Sequence, residues 1–539
     1  SNSVDSGLTA FETIFKKIAI ASVSNLDEAG LISSDIGKAS SELVGTVVSS
    51  LGSSGISSSE LGGSLEQITS GAVDSLDHIA GFDVSSLGST IDNITGGATA
   101  ALGDISVTGF SSDNLTDMVE KVTSGATSAL GEIIIIGYSA DNLSAMVEKV
   151  TSGATSALGR IKISGYDSSK LTSMVEKVTA GATASLGKIK MDGYDAGDLS
   201  GMLEKVSAGA TASLGKIKMA GYDAGDLSGM MEKLTAGATA ALGNIEMTGF
   251  SADNLTSMVE KVTAGATAAM GDIQMDGFSA DNLSSMVEKV TAGATKSLGK
   301  IRMTGYDSSK LNAMMEKVTS GATKSLGKIK MDGYDATKLS GMMEKVTVGA
   351  TTALGDIEMD EYDPSNLSEM VKEITKSVAV AMAEVKIDGF SSDNISLMIV
   401  IVNEAATDSL DKIEMKGYDP NNKPSGLVDS VKKGLDLGLL NQPPMLREIS
   451  AVSKYTRNNT PSYTFSSNKA GKISYQGKCR SSSNLAVADN NTISFKKLED
   501  GTYKNCVITV TDFTNIKGLI GTLNVSSFTV DTTAPTISE

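Results

Sequence analysis

Apolar residues recur along most of the chain at the spacing of an amphipathic helix. In one representative unit they fall at Leu143, Met146, Val147 and Val150, which is the i, i+3, i+4, i+7 pattern of a helix with one buried stripe. A short segment in which apolar and polar residues alternate follows each such helix, as at 188–191. Alternation of this kind predicts a short half-buried strand. We therefore expect one helix and one strand in each unit.

An aromatic residue marks the same position of every unit. It recurs every 28 residues without insertion or deletion, at Phe82, Phe110, Tyr138, Tyr166, Tyr194, Tyr222, Phe250, Phe278, Tyr306, Tyr334, Tyr362, Phe390 and Tyr418. The next residue is always Ser or Asp, both good helix N-caps. A glycine such as Gly159 predicts the helix end, and the glycine before the aromatic predicts a turn. This strict phase indicates an array whose units bury their apolar faces against one another.

The repeat predicts an α/β solenoid, in which parallel strands are joined by right-handed crossovers through the helices. An all-α solenoid, with the Ile-x-Met segment as an extended connector, remains the alternative. The period is similar to that of leucine-rich repeats, but the units lack a Leu-x-x-Leu-x-Leu motif, so the likeness is one of geometry only. Because helices need more room than strands, we expect the array to curve into a horseshoe or superhelix.

A glycine also recurs inside each helix, in a Gly-Ala-Thr triplet that includes Gly153, Gly181 and Gly209. A glycine within a helix costs about 1 kcal/mol relative to alanine. Its place at the edge of the buried stripe predicts that it lets neighbouring helices approach closely. The Glu-Lys pair of each helix, as at Glu148 and Lys149, is expected to form salt bridges of small energetic weight between helices.

Five parts of the chain are distinguished by these patterns. They are a capping helix in 1–29, degenerate repeats in 30–81, the solenoid in 82–419, a C-terminal cap and linker in 420–444, and a β-rich module in 445–539. All seven prolines lie in the last third of the chain, and Pro443 and Pro444 follow the last helical pattern. Past them the composition turns to Ser, Thr, Asn, Tyr and Val, which indicates a domain boundary.

Charge and residue types restrict the function. The net charge of −18 disfavours a nucleic-acid partner, which would need a basic face. His78 is the single histidine, and no acid–base pair or group of metal ligands stands out against the repeat. We therefore expect no enzyme, no catalytic residue, no cofactor and no metal, with a polysaccharide-active enzyme as the weaker alternative. No apolar run reaches the length of a membrane span.

The units differ mainly at the polar positions of the predicted strands. Basic residues at these positions form the candidate binding face: Arg160, Lys162, Lys188, Lys190, Lys216, Lys218, Lys300, Arg302, Lys328 and Lys330. Neutral or acidic residues such as Asn244, Glu246, Asp356 and Glu358 replace them elsewhere. One interpretation is a solvated face that discourages edge-to-edge aggregation. The functional interpretation is a charge-patterned surface for a polyanion or for a complementary copy of the same array.

Short alternating strands fill the C-terminal part, at 462–465, 471–475, 492–495, 506–510 and 528–530. Turn residues lie between them, which predicts an all-β sandwich. Cys479 and Cys506 are the only cysteines, and both lie beside strands. A disulfide between them, formed in an oxidising compartment, is the economical interpretation, and two buried free thiols are the alternative.

The run 499–512 (Glu-Asp-Gly-Thr-Tyr-Lys-Asn-Cys-Val-Ile-Thr-Val-Thr-Asp) and the closing Asp-Thr-Thr-Ala-Pro at 531–535 resemble the bacterial Ig-like domains of large surface proteins. The resemblance covers only the C-terminal module and implies a rigid spacer, outside the cell or on its surface, that further domains can follow. We expect a secreted or cell-surface bacterial protein whose solenoid binds a surface glycan or polyanion in adhesion. The alternative is a self-assembling subunit of an extracellular filament or surface layer.

Overall fold

The computed structural model describes residues 10–26, 28–31, 33–57, 60–107, 110–112, 114–382, 384–385, 392–424, 426–440, 443–513 and 519–533. The chain divides into two compact units, Ser1–Asp388 with Ile401–Gly434, and Gly389–Val400 with Leu435–Glu539. Most of the repeat region lies in the first unit, and the β-rich module belongs to the second.

The repeat region is an array of α-helices, one in each repeat. In the described residues the helices are α1 Ala10–Ser24, α2 Ser33–Ser50, α3 Leu61–Asp74, α4 Val84–Ala101, α5 Leu115–Ala129, α6 Ala140–Ala157, α7 Ser168–Ser185, α8 Leu199–Ser213, α9 Leu227–Ala240, α10 Leu255–Ala268, α11 Leu283–Ser297, α12 Leu311–Leu326, α13 Ala336–Thr352, α14 Leu367–Met382, α15 Ser392–Ser409 and α16 Leu427–Leu440. Most of them end in a single 3-10 turn. The predicted N-terminal capping helix is α1.

From α1 to α14, each helix packs chiefly against a helix two repeats away, and only lightly against its neighbour in sequence. The array therefore consists of two stacks, an even stack (α2, α4, α6, α8, α10, α12, α14) and an odd stack (α1, α3, α5, α7, α9, α11, α13). The mid-helix glycines lie where the stacked helices touch. A Cβ added to Gly209 of α8 would lie 2.4 Å from the carbonyl oxygen of Glu148 in α6. The predicted close helix contact is confirmed, with its partner two repeats away.

The strands predicted for the Ile-x-Met segments do not form in the described repeats, so the α/β solenoid was wrong and the all-helical alternative applies. These segments are extended connectors, each anchored by one buried isoleucine such as Ile161 or Ile217. The physical reason is spacing: stacked helices lie about 8–10 Å apart, whereas paired strands must lie about 4.8 Å apart. The connectors instead touch helix ends, since a Cβ on Gly159 would lie 2.7 Å from the backbone nitrogen of Lys218.

The two glycines that flank each connector have different roles. The glycine before the aromatic has a left-handed backbone, with φ of 87° at Gly137 and 82° at Gly193, as its predicted turn requires. The predicted helix-end glycine is not left-handed: Gly159 lies inside the 3-10 turn Leu158–Arg160. Its small size serves the contact with the connector of Lys218. Glu361, which replaces one turn glycine, is left-handed as well, with φ of 63°.

Near the two ends of the array, hydrogen bonds explain one helix cap and one replacement of the mid-helix glycine. Asp83 Oδ1 accepts hydrogen bonds from the backbone N–H groups of Ser85 at 3.0 Å and Ser86 at 3.1 Å, as predicted for an N-cap. Ser377 replaces the mid-helix glycine of α14, and its hydroxyl donates to the carbonyl oxygen of Glu316 at 2.7 Å. The predicted aromatic position Phe390 lies outside the described residues.

The C-terminal module is β-rich. Its strands are β1 Leu446–Ser450, β2 Tyr455–Thr456, β3 Ser462–Ser467, β4 Gly471–Gln476, β5 Leu485–Ala486, β6 Asn490–Ser494, β7 Gly501–Tyr503, β8 Val507–Asp512, β9 Ile520–Asn524 and β10 Phe528–Val530. They form three sheets, in the orders β1-β3-β6, β2-β10-β7 and β5-β4-β8-β9. One core lies among them and includes the fully buried Tyr463, Phe465, Phe495 and Phe528. A disulfide joins Cys479 to Cys506, whose Cα atoms lie 5.3 Å apart.

Candidate binding surface

The predicted binding face is exposed throughout, but the fold divides it between the two stacks. Arg160, Lys162, Lys216, Lys218, Lys328 and Lys330 lie on connectors of the even stack, and Lys188, Lys190, Lys300 and Arg302 lie on connectors of the odd stack. The basic block that is continuous in sequence is therefore interrupted in space. Its expected continuity was wrong, because consecutive connectors belong to different stacks.

Four of these cations remain together. Arg160, Lys162, Lys216 and Lys218, here called the basic row, lie on consecutive connectors of the even stack. The backbones are in direct contact near Gly159, as described above. The buried isoleucine between each pair of cations holds its connector in place, so both flanking side chains point away from the core. Within the part of the chain that the structure describes, none of the four has a carboxylate in salt-bridge distance.

Several of the other cations are partly neutralised. Lys188 Nζ lies 3.5 Å from Glu66 Oε1, and Lys328 Nζ lies 3.9 Å from Glu204 Oε1. Arg302 turns back on its own connector, where Nη1 donates to the carbonyl oxygen of Gly299 at 2.5 Å. These contacts lower the attraction that the three side chains offer to an external anion. The basic row is therefore the strongest cationic surface among the predicted residues.

The helical Glu-Lys pairs form a ladder of salt bridges along each stack. Lys177 Nζ lies 2.5 Å from Glu120 Oε2, and Lys205 Nζ lies 2.6 Å from Glu148 Oε2, in each case two repeats apart. Burial opposes the ionisation of Glu232, but hydrogen bonds from Lys289 and Lys296 outweigh it, and the pKa of Glu232 lies below its usual value. The predicted inter-helix salt bridges are thus present, and they occupy the lysines and glutamates of the helices.

One connector of the odd stack departs from the others in its polarity. Ile134 and Ile136 occupy the outward positions that carry charged, polar or small residues in other units, and their side chains are 84% and 99% exposed. The backbone N–H of Ile134 donates to Asp77 Oδ2 at 3.0 Å. The run of four isoleucines was visible in the sequence, but its exposure was not, because alternation alone does not tell which side faces water.

The one histidine lies beside a carboxylate, with His78 Nδ1 2.7 Å from Asp77 Oδ1. In the described ranges no three His, Cys, Asp or Glu side chains come together as metal ligands would. Nor does any described helix combine the length and apolarity that crossing a membrane requires.

No family model matches the chain, and no curated protein matches it. Two solved structures show a low similarity. The crystal structure of SYS-1 is 11% identical, with 79% of this chain and 69% of that chain covered and a TM-score of 0.19. The structure of APUM23-GGAGUUGACGG is 10% identical, with 80% of this chain and 97% of that chain covered and a TM-score of 0.15. Scores this low carry no argument about fold or function.

Proposed function

We propose that this protein is a non-catalytic binding scaffold of the bacterial cell surface or exterior, and that its helical array binds an anionic polymer such as a surface glycan. The observation that carries the proposal is the basic row. Arg160, Lys162, Lys216 and Lys218 are exposed side by side without carboxylate partners among the described residues, in a chain of net charge −18. Unpaired cations on neighbouring connectors attract a polyanion locally, even though the net charge of the whole chain is negative.

The scaffold itself supports a multivalent mode of binding. The salt-bridge ladder and the glycine contacts hold successive connectors at a regular spacing, so a polymer can contact several of them at once. Individual contacts between exposed charges are weak. Once one contact has formed, the next charged groups of the same polymer are held close to the next connectors at a high effective concentration. The free energies of the linked contacts therefore add to a higher total affinity. Affinity is therefore expected to grow with polymer length and to fall as salt is added.

The C-terminal module is assigned the role of a spacer, as its resemblance to bacterial Ig-like domains implies. Its disulfide, Cys479–Cys506, supports an oxidising and therefore extracytoplasmic location. In this proposal the module holds the array away from its anchor and takes no part in ligand recognition.

The proposal is tested by measuring the affinity of the full chain for polygalacturonate at two salt concentrations. The double variant Lys216→Gln/Lys218→Gln should bind about tenfold more weakly and lose much of its salt dependence. The matched control is Lys188→Gln/Lys190→Gln, which makes the same change of charge on the odd stack and should bind like the wild type. Equal loss in both variants, or no binding by the wild type, would overturn the proposal.

Self-assembly is the second candidate function, and one observation favours it. The odd-stack connector that carries Asp356, Glu358, Asp360 and Glu361 exposes four carboxylates, and the last three line a groove of about 720 Å³ together with Asp307 and one cation, Arg302. This surface is opposite in sign to the basic row and lies on the other stack. A contact between the two would join unlike surfaces of two copies, and such contacts extend into rings or filaments.

Charge reversal distinguishes this candidate. Lys216→Glu/Lys218→Glu places acidic residues in the basic row, and Glu358→Lys/Asp360→Lys places basic residues on the acidic connector, so each variant loses the charge complementarity of the contact and should be monomeric alone. Mixing the two restores the complementary pair and should restore assembly, as measured by sedimentation. A wild-type chain that stays monomeric at every concentration would contradict self-assembly and leave glycan binding intact.

A further inference from the structure

A groove of about 630 Å³ lies at the end of the basic row, where α2, α4 and the connector of Arg160 meet. Its lining includes Gly45, Gly97, Ala100 and Ala101, which leave a shallow floor of backbone and methyl groups. The volume falls within the range of about 300–1,000 Å³ that is usual for small-molecule sites. The groove is open to solvent and is large enough for one ligand unit to lie in it.

The polar groups at the rim of the groove are mixed in charge. Arg160 and Lys162 stand on one side, and the carboxylates of Glu42 and Asp104 also line the groove. The wall of α2 adds the hydroxyls of Ser41, Thr46 and Ser49. A uniformly anionic chain such as polyphosphate would be repelled by the two carboxylates. A ligand unit that combines one negative charge with several hydroxyl groups matches all of these partners.

The sequence of this repeat is adapted to Arg160. A Cβ added to Gly96 would lie 2.9 Å from Arg160 Nη2, so the guanidinium lies over a bare stretch of the α4 backbone. The corresponding position holds Ser124, Ser152 and Ala180 in the following repeats, and the position of Arg160 holds lysine, asparagine or aspartate in most of the others. In this pair of stacked repeats the glycine leaves free the space that the guanidinium of Arg160 occupies. A guanidinium offers a planar fork that binds a carboxylate through two parallel hydrogen bonds.

We propose that this groove binds one sugar-acid unit of an anionic polysaccharide, with the carboxylate of the sugar on Arg160. The apolar face of the pyranose ring lies on the partly exposed Gly45 and Ala100 of the floor. The sugar hydroxyls reach the hydroxyl and carboxylate groups of the rim, while the rest of the polymer continues along Lys216 and Lys218. This inference rests on the proposed function and adds to it the chemical class of the ligand.

The test uses the full chain with two probes, tetragalacturonate and inorganic polyphosphate. Ala100→Phe fills the groove without changing any charge and should weaken tetragalacturonate binding about tenfold or more. Polyphosphate reaches Lys216 and Lys218 without entering the groove, so its binding should stay unchanged, which also shows that the variant is folded. Ala240→Phe, at the same repeat position in the odd stack, is the matched control and should bind both probes like the wild type.

A second variant addresses the guanidinium directly. Gly96→Ala places a methyl group against Arg160 and should reduce tetragalacturonate affinity while leaving polyphosphate binding intact. The inference is overturned if tetragalacturonate binds Ala100→Phe and Gly96→Ala as tightly as the wild type, or if both probes lose affinity together. Failure of the proposed function gives a different result, namely that neither probe binds the wild-type chain, and it overturns the inference as well.

Discussion

The phenolic hydroxyl of Tyr194 donates a hydrogen bond of 2.9 Å to the backbone carbonyl oxygen of Leu186. Leu186 begins the 3-10 turn that ends the preceding helix, and Tyr194 begins the next repeat, so this bond closes the whole connector into a loop. The same bond is present for Tyr138, Tyr166, Tyr222, Tyr306, Tyr334, Tyr362 and Tyr418. Where the recurring aromatic is tyrosine, its hydroxyl therefore links the two ends of the connector. We call this hydrogen bond the clasp.

Removal of the clasp should destabilise the array. Tyr194→Phe leaves the ring in place and deletes the hydroxyl, and we expect a loss of about 1 kcal/mol in the free energy of unfolding. The matched change is Phe250→Tyr, which adds a hydroxyl within reach of the equivalent carbonyl of Leu242 and should change stability in the opposite direction. Urea unfolding of the two variants measures both values. Loss of stability in both would show that ring packing, and not the hydrogen bond, is decisive.

The buried tyrosines also predict a pH dependence. Burial, and secondarily the charge of Asp198, raises the pKa of Tyr194 above its ordinary value of 10. As pH rises above about 10, the unfolded chain loses the phenolic proton while the folded chain keeps it, so stability is present below this pH and is lost above it. Thermal unfolding between about pH 8 and pH 11 should show this decline. It should be smaller in Tyr194→Phe, and an identical decline in both proteins would contradict this source.

Two glycines of helix α8 should respond in opposite ways to the same substitution. In Gly209→Ala the new Cβ would lie 2.4 Å from the carbonyl oxygen of Glu148, and we expect a loss of about 1–3 kcal/mol as α6 and α8 are forced apart. In Gly201→Ala the nearest atom would be Ser144 Oγ at 3.8 Å, so the variant should gain up to about 1 kcal/mol from helix propensity. Urea unfolding measures both, and equal effects would refute the packing role of Gly209.

Glu361 has a left-handed backbone conformation, with φ of 63°. The other described turns of the array have glycine at this position. Glu361→Gly should therefore stabilise the protein by about 1 kcal/mol, because it removes the clash of a Cβ in the left-handed region. The reverse change, Gly333→Glu, introduces the same strain at an equivalent turn and should destabilise by a similar amount. Calorimetry would measure both shifts, and a loss of stability in Glu361→Gly would indicate that the carboxylate itself is required for folding.

The threonine of the Gly-Ala-Thr triplet is fully buried, and its hydroxyl has no hydrogen-bond partner among the described residues in Thr211 and in most other repeats. Thr211→Val keeps the shape and removes the unpaired hydroxyl, so stability should be unchanged or higher by up to about 1 kcal/mol. Thr235 is the control, since its hydroxyl donates to the carbonyl oxygen of Val290 at 3.1 Å. Thr235→Val should lose about 1 kcal/mol, and a loss of that size in Thr211→Val would reveal a buried water.

The local structure of the repeats could be predicted residue by residue. The apolar spacing around Val147 identified the helix, and the glycine before the aromatic identified a left-handed turn. The Ser or Asp after the aromatic is the N-cap in units such as that of Asp83, but α8 to α11 begin four residues after it. These features depend on neighbours within one or two helical turns, so the sequence of one unit contains the necessary information. The prediction failed at the connector, where two alternating apolar residues fit a strand and an anchored extended segment equally well.

The candidate site shows the same division. All ten cations of the predicted binding face are exposed, on the segments that follow the helices. Which of them lie together could not be predicted, because Lys188 and Lys216 are one repeat apart in sequence yet belong to different stacks. The groove beside Arg160 was missed as well. The sequence did contain a signal for it, since Gly96 stands where the following repeats have serine or alanine.

The sequence by itself determined the period, the helix in each unit, some of the helix caps, the glycine turns, the close contact at the mid-helix glycine and the boundary before the β-rich module. Only the tertiary structure decided that helices pair two repeats apart, that the connectors do not form a sheet, and that the basic residues separate into two groups. The reason is that caps and turns are set by interactions within a few residues, whereas the pairing of helices depends on which backbones can approach most closely. At Gly209 that approach is to Glu148, two repeats back, and the positions of all the connectors follow from it.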